Sequence, residues 1–110
     1  MELTTEQKLA INIKAATDIG ILDRVLHNID QHKHGVVLTT AGSYFDIFNP
    51  DNTTDLNKAV EAYGIDVCQG VLVDGTWECW GTSGYKLIAK NKSRDESMRM
   101  AVVKASGVEL

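Results

Sequence analysis

Three histidines, His27, His32 and His34, are the first side chains to test for metal chemistry. Zinc and related ions are held by imidazoles, thiolates or carboxylates at spacings such as His-Glu-x-x-His, which put two ligands on one helix face. His27 and His32 stand five residues apart and share no such face, and no cysteine pair at zinc spacing accompanies them. Surface or helix-end histidines are expected, with no metal site and no cofactor. Asp51, Asn52 and Asp55 have the side chains of a calcium loop but lack its central glycine and terminal bidentate glutamate. Turn and cap duty accounts for them more simply. The stretch Gly81-Thr82-Ser83-Gly84 offers amides and hydroxyls that could cradle a phosphate, with Lys86, Lys90 and Lys92 for charge and Trp80 to stack on a base. No Lys-Ser pair or helix start follows it, so a plain connection is the simpler reading. A small anionic ligand, if one binds, is expected at Trp80, Gly81, Thr82, Ser83, Gly84, Tyr85 and Lys86.

Nucleophilic chemistry finds less support. Ser43, Ser83 and Ser93 lie in no nucleophile-elbow context, and Cys68 and Cys79 have no evident histidine partner. Carboxylates such as Glu61, Asp66 and Glu78 read as solvated charges. The chain is therefore expected not to be an enzyme. Tyr44, Phe45 and Phe48 put three aromatics within five residues beside the Ala41-Gly42-Ser43 turn. Exposed aromatics anchor protein interfaces, so these three are the candidate interface residues, set against the simpler reading that they close the core.

The elements that must position these residues begin at Thr4, which can cap a helix with Gln7 reaching back. Leu9, Ala10, Ile13 and Ala16 form one apolar stripe, and Leu22, Val25, Leu26 and Ile29 form a second. Residues 4–31 are read as helical, either one helix or two broken near Gly20, with Asp18 capping the second. Val36 to Thr40 reads as a strand, and Tyr44 to Phe48 as an edge strand or extended loop. Leu56, Ala59, Val60 and Tyr63 give a helix over 54–63 its apolar face, with Gly64 as its exit.

The organising element is a hairpin over 65–80. Asp74-Gly75 separates Ile65–Val73 from Thr76–Trp80, and a two-residue type I′ loop would set Leu72 opposite Trp77, Gly70 opposite Cys79 and Gln69 opposite Trp80. That register places Cys68 and Cys79 on one apolar face as buried free thiols. A third strand, Tyr85 to Lys90, carries Lys86 and Lys90 on one side, toward solvent or a sheet edge. Ser93 and Glu96 then start a helix over 94–106 that buries Met98, Ala101, Val102 and Ala105 and ends at Gly107.

At 110 residues, 44% apolar and 24% charged with a single proline, the chain is expected to be one domain, 1–110, with a real core. The fold class is α+β, a small mostly antiparallel sheet flanked by helices, with an α/β/α sandwich as one layout. A net charge of −4 disfavours nucleic acid and anionic membranes as partners. Neither an apolar run of membrane-spanning length nor a basic leader is present, so a cytoplasmic protein is expected.

Phe48-Asn49-Pro50, the helix start Thr53-Thr54-Asp55 with Ala59, the hairpin with Trp77 and Trp80, and the closing helix with Met100-Ala101-Val102-Val103-Lys104-Ala105 together resemble the phage ABA sandwich domain family. The resemblance spans roughly residues 45–105. It implies a phage or prophage origin, an α/β/α sandwich and residence in the host cytoplasm, and it brings no catalytic residues. The combined expectation is a small non-enzymatic protein that binds a protein partner, as a host-interaction or anti-defence factor, or that associates with itself. The alternative is a binder of a nucleotide-like metabolite at the 80–86 site.

Overall fold

The computed structural model describes residues 2–27, 35–70, 75–81 and 86–109. Its first helix, α1 (Thr5–Ile19), starts at the expected reciprocal cap: Gln7 N–H donates to Thr4 Oγ1 at 3.1 Å, and Thr4 N–H donates to Gln7 Oε1 at 2.8 Å. Ile11, Ala15 and Ala16 turn into the core. Gly20 ends the helix in the left-handed region, φ 86°, and donates its N–H to the carbonyls of Ala16 and Thr17.

Beyond Gly20 the chain departs from the helical reading. Leu22–Leu26 is a strand, β1, paired antiparallel with β2 (Val36–Thr39), which pairs in turn with β3 (Tyr44–Phe45). Thr39 partners Leu22 and Leu38 partners Arg24, so the ladder slips by one residue between them. The slip puts Leu22 and Val25, three apart, on the same sheet face as Thr39 and Val37. A three-residue apolar spacing that belongs to a bulged strand therefore imitates a helical stripe. Asp18 caps nothing, and residues 28–34, including Ile29, fall outside the described residues.

The helix α2 (Thr54–Ala62) buries Leu56, Ala59 and Val60, and α3 (Arg94–Ser106) buries Met98, Ala101 and Val102, as their stripes require. Between them β4 (Ile65–Gln69), β5 (Trp77–Gly81) and β6 (Lys86–Asn91) form a second antiparallel sheet in that order. Its hairpin is real, but its register is not the expected one. Gln69 faces Trp77, Cys68 faces Glu78 and Val67 faces Cys79. The ladder closes at Gly70, whose N–H donates to Thr76 O at 2.8 Å, while Gly75 N–H returns to Gly70 O at 2.9 Å. The loop is thus longer than Asp74-Gly75, and Asp74 itself lies outside the described residues. An odd shift exchanges the two faces of a strand. Cys68 comes out exposed while Cys79 stays fully buried, so the expectation of two buried thiols on one face is corrected; both are free. The observed register keeps Ile65, Val67 and Cys79 together on the core side.

The α+β class holds, and the strands divide between two three-stranded sheets instead of the single one expected. α1 packs on β1 and β2, α3 on β5 and β6, and the three helices touch one another. They therefore join two sheets where an α/β/α sandwich would have them flank one. One cluster of buried side chains runs through the assembly, from Phe45 and Val37 on the first sheet, through Ile11, Leu56 and Met98 on the helices, to Cys79 and Ala89 on the second. Among the described residues no helix is long and apolar enough to cross a membrane.

Candidate functional site

Alternation along each strand decides which side chains face outward. On the first sheet Val37 and Phe45 are opposite one another and buried, so the next pair, Leu38 and Tyr44, faces away from the core. On the second sheet Cys79 and Ala89 are the buried pair, and the next one, Trp80 and Leu87, faces out. Tyr44 is 53% exposed and Leu87 41%; they are the exposed large hydrophobic residues among those described. Each sheet therefore presents one aromatic side chain beside one leucine on a neighbouring strand. Such cross-strand pairs stabilise a sheet by about 0.2–1 kcal/mol, and the same geometry offers a rigid apolar patch to another molecule.

Polar groups border both patches. Arg24 lies across from Leu38, and Asp66 lies across from Trp80. Glu78 accepts from Trp80 Nε1 at 3.4 Å and sits 3.9 Å from Lys90 Nζ, which fixes the indole beside an ion pair.

The expected interface residues separate. Tyr44 is exposed, Phe45 is completely buried and closed to a partner, and Phe48 is half-buried with Lys8 Nζ 5.6 Å from its ring centre. In the expected ligand site, Trp80 and Gly81 end β5 and Lys86 starts β6, while Thr82, Ser83, Gly84 and Tyr85 lie outside the described residues. Lys86 lines a surface hollow of about 400 Å³ with Leu87, Ile88, Lys104 and Ala105; Trp80 is not in its wall. His27 is exposed beyond β1, and His32 and His34 are not among the described residues. Asn49 and Asn52 make the turn bonds before α2, accepting from Asp51 N–H and Thr54 N–H at 2.9 Å each. Asp55 accepts from Asp46 N–H at 3.0 Å. Ser93 Oγ accepts from Glu96 N–H at 3.3 Å and is a cap.

Cys79 is a core thiol. Burial raises its pKa, opposed by the Ser97 hydroxyl 3.4 Å away, and a protonated buried thiol is inert. Asp18 has the opposite shift: the Lys14 ammonium, bonded to both carboxylate oxygens at 2.7 and 2.8 Å, and then the Tyr63 hydroxyl hold it below the usual carboxylate range. Tyr63, which donates to Asp18 at 2.6 Å, is pushed up mainly by burial and then by that carboxylate. This group ties α1 to α2 at the surface.

Sequence reasoning missed a second polar group, around residues 46–49. Asn12 Nδ2 donates to Asp46 Oδ1, and Ile47 N–H donates to Asn12 Oδ1, both at 3.0 Å. Arg99 Nε and Nη2 reach the carbonyls of Ile47 and Asn49 at 3.1 and 3.2 Å. One residue from each helix, Asn12, Asp55 and Arg99, thus fixes the segment leaving β3. The one signal was Asn12 itself, whose spacing to Ala15 and Ala16 puts it on the buried face of α1. Shallow clefts of about 170 and 180 Å³ flank Phe48 and Lys8 beside this group.

Comparison with family models, with curated proteins and with solved structures finds no match for the chain.

Proposed function

We propose that the chain acts by binding a protein partner through the outward faces of its sheets, without catalysing a reaction. The observation that carries this is the pairing of Tyr44 with Leu38 and of Trp80 with Leu87 on solvent-facing strands. Rigid aromatic anchors with polar borders are what protein interfaces use, because a ring gains much contact area for little lost conformational freedom. The phage setting, and with it a host-interaction or anti-defence role in the host cytoplasm, draws its support from the resemblance carried by Phe48-Asn49-Pro50, the Trp77 and Trp80 hairpin and the closing helix.

The test is native mass spectrometry of the protein isolated from its producing cells, before and after mild denaturation, for the wild type and for the exposed-residue variants Tyr44→Ser and Leu87→Ser. A retained polypeptide that either variant loses supports the reading. A polypeptide held equally well by both variants, or none at all, argues against it.

Capture of a small anionic metabolite is a second reading, favoured by the hollow between Lys86 and Lys104. It predicts a small retained mass, lost on denaturation and absent from Lys86→Glu.

A further inference from the structure

The two edges of the second sheet are built differently. On β6 a bulge at Ile88 interrupts the ladder between the Cys79–Ala89 and Trp80–Leu87 pairs, and Lys104 Nζ occupies the Ile88 carbonyl at 2.7 Å. Exposed Lys86 and Lys90 stand on either side. Bulges and lysines are the devices that keep an edge from pairing with another strand. β4 has none of them. Its five residues pair with β5 without a slip, and its only charged side chain is Asp66.

The hydrogen-bonding groups of β4 fall into two sets. Because Gly70 N–H bonds to Thr76 O, and bonded pairs alternate along an antiparallel ladder, Cys68 and Asp66 direct their main-chain groups toward Glu78 and Trp80. Ile65, Val67 and Gln69 therefore direct theirs away from β5. Among the described residues no other backbone bond reaches these three.

We propose that β4 is an association edge and that its occupant is a second copy of this chain, paired antiparallel about a twofold axis at Val67. Ile65, Val67 and Gln69 are evenly spaced about that axis. Val67 then meets Val67 of the second copy, and Ile65 meets Gln69, so every outward N–H finds an outward C=O, about six main-chain bonds in all. Asp66, the single charge, falls opposite the neutral Cys68 of the other copy, and the carboxylates do not face each other. Val67 extends the apolar face and the polar face continues across the junction. A twofold at Asp66 or Cys68 would also join outward groups to outward groups, but through about four main-chain bonds in place of about six, and at Asp66 it would set the two carboxylates opposite each other; Val67 gives the longest overlap. This inference rests on the reading that the chain acts by association. Its test uses the purified chain alone, so its failure would leave the Tyr44 and Leu87 experiment standing.

Sedimentation equilibrium of the full chain is expected to give a dimer. Val67→Pro removes the outward N–H at the axis while sparing the bonds to β5, and is expected to give a folded monomer by circular dichroism and sedimentation. Gln69→Pro, at an exposed position, is expected to weaken association in the same way. Asp66→Cys reports the register: residues 66 and 68 of opposing copies form a non-bonded pair with Cα atoms about 4.5 Å apart, close enough for oxidation to link the new thiol to native Cys68. A covalent dimer on a non-reducing gel, lost when Cys68→Ser is added, supports the pairing even if both proline variants unfold. A wild type that is monomeric at every concentration, folded proline variants that still dimerise, or an oxidised Asp66→Cys protein that stays monomeric would overturn it.

Discussion

The first sheet and the second are attached to the helices by different means. The second has strands of five, five and six residues, and lies on α3 through Cys79, Ala89 and Met98, with one buried hydroxyl, Ser97, bonded to Trp77 O at 2.9 Å. The first ends in a strand of two residues, too short to hold its own register, and the chain leaving it is fixed by Asn12, Asp55 and Arg99. A long strand is located by its ladder and its apolar face. A short one needs side chains from elsewhere to tell the backbone where to go.

The strongest way to break this contrast is Phe45→Ala, which empties a fully buried site on the short strand and is expected to destabilise the protein by about 3–5 kcal/mol in urea titration. Hydrogen exchange should quicken first in β1 to β3, with β4 to β6 keeping their protection longest; equal loss in both sheets would dissolve the distinction. Asn12→Ala comes next. It deprives the buried Ile47 N–H of its acceptor, while Asp46 Oδ1 loses one donor and keeps Phe48 N–H, and it is expected to cost about 2 kcal/mol. Ser97→Ala, the equivalent deletion under the second sheet, is expected to cost about 1 kcal/mol, and a larger loss there than at Asn12 would reverse the argument.

The smallest effect concerns the link between α1 and α2. The pKa of Tyr63 is raised in the fold, so the unfolded chain gives up its phenolic proton first, near 10.0, and stability falls as pH rises past that value. Tyr63→Phe should remove that part of the alkaline decline in thermal melts run from neutral pH upward. Asp18 has the opposite sign: its lowered pKa contributes stability above 3.8 that is lost as pH falls through the folded value.

Much of the architecture was legible where one rule acted alone. Thr4 with Gln7, Ser93 before α3, the Leu56 and Val60 stripe and the β2 run each depend on neighbours a few residues away. Failure came where two rules competed. Leu22 and Val25 keep helical spacing because a bulge resets strand alternation, and the partner strand that imposes the slip is invisible from residues 22–26 alone. Asp74-Gly75 is a strong turn signal, yet the register was decided by which strand residues the helices would bury. The same limit applies to the candidate surface. Three aromatics close together announced themselves, but only burial separates Tyr44 from Phe45. The partnership of Trp80 with Leu87 depends on a cross-strand register and a bulge, and the outward direction of the Ile65, Val67 and Gln69 main-chain groups on the register with β5.

The Lys104 bond to the Ile88 carbonyl also has a bearing on stoichiometry. A sheet with two open edges can recruit copies at both and grow into a fibre, whereas one that is open on a single side is consumed when two such sides meet. If β4 pairs as proposed, the Lys104 bond to β6 disfavours a further strand on the far side, so that growth through this sheet stops at a pair and a liability of exposed strands becomes a means of counting.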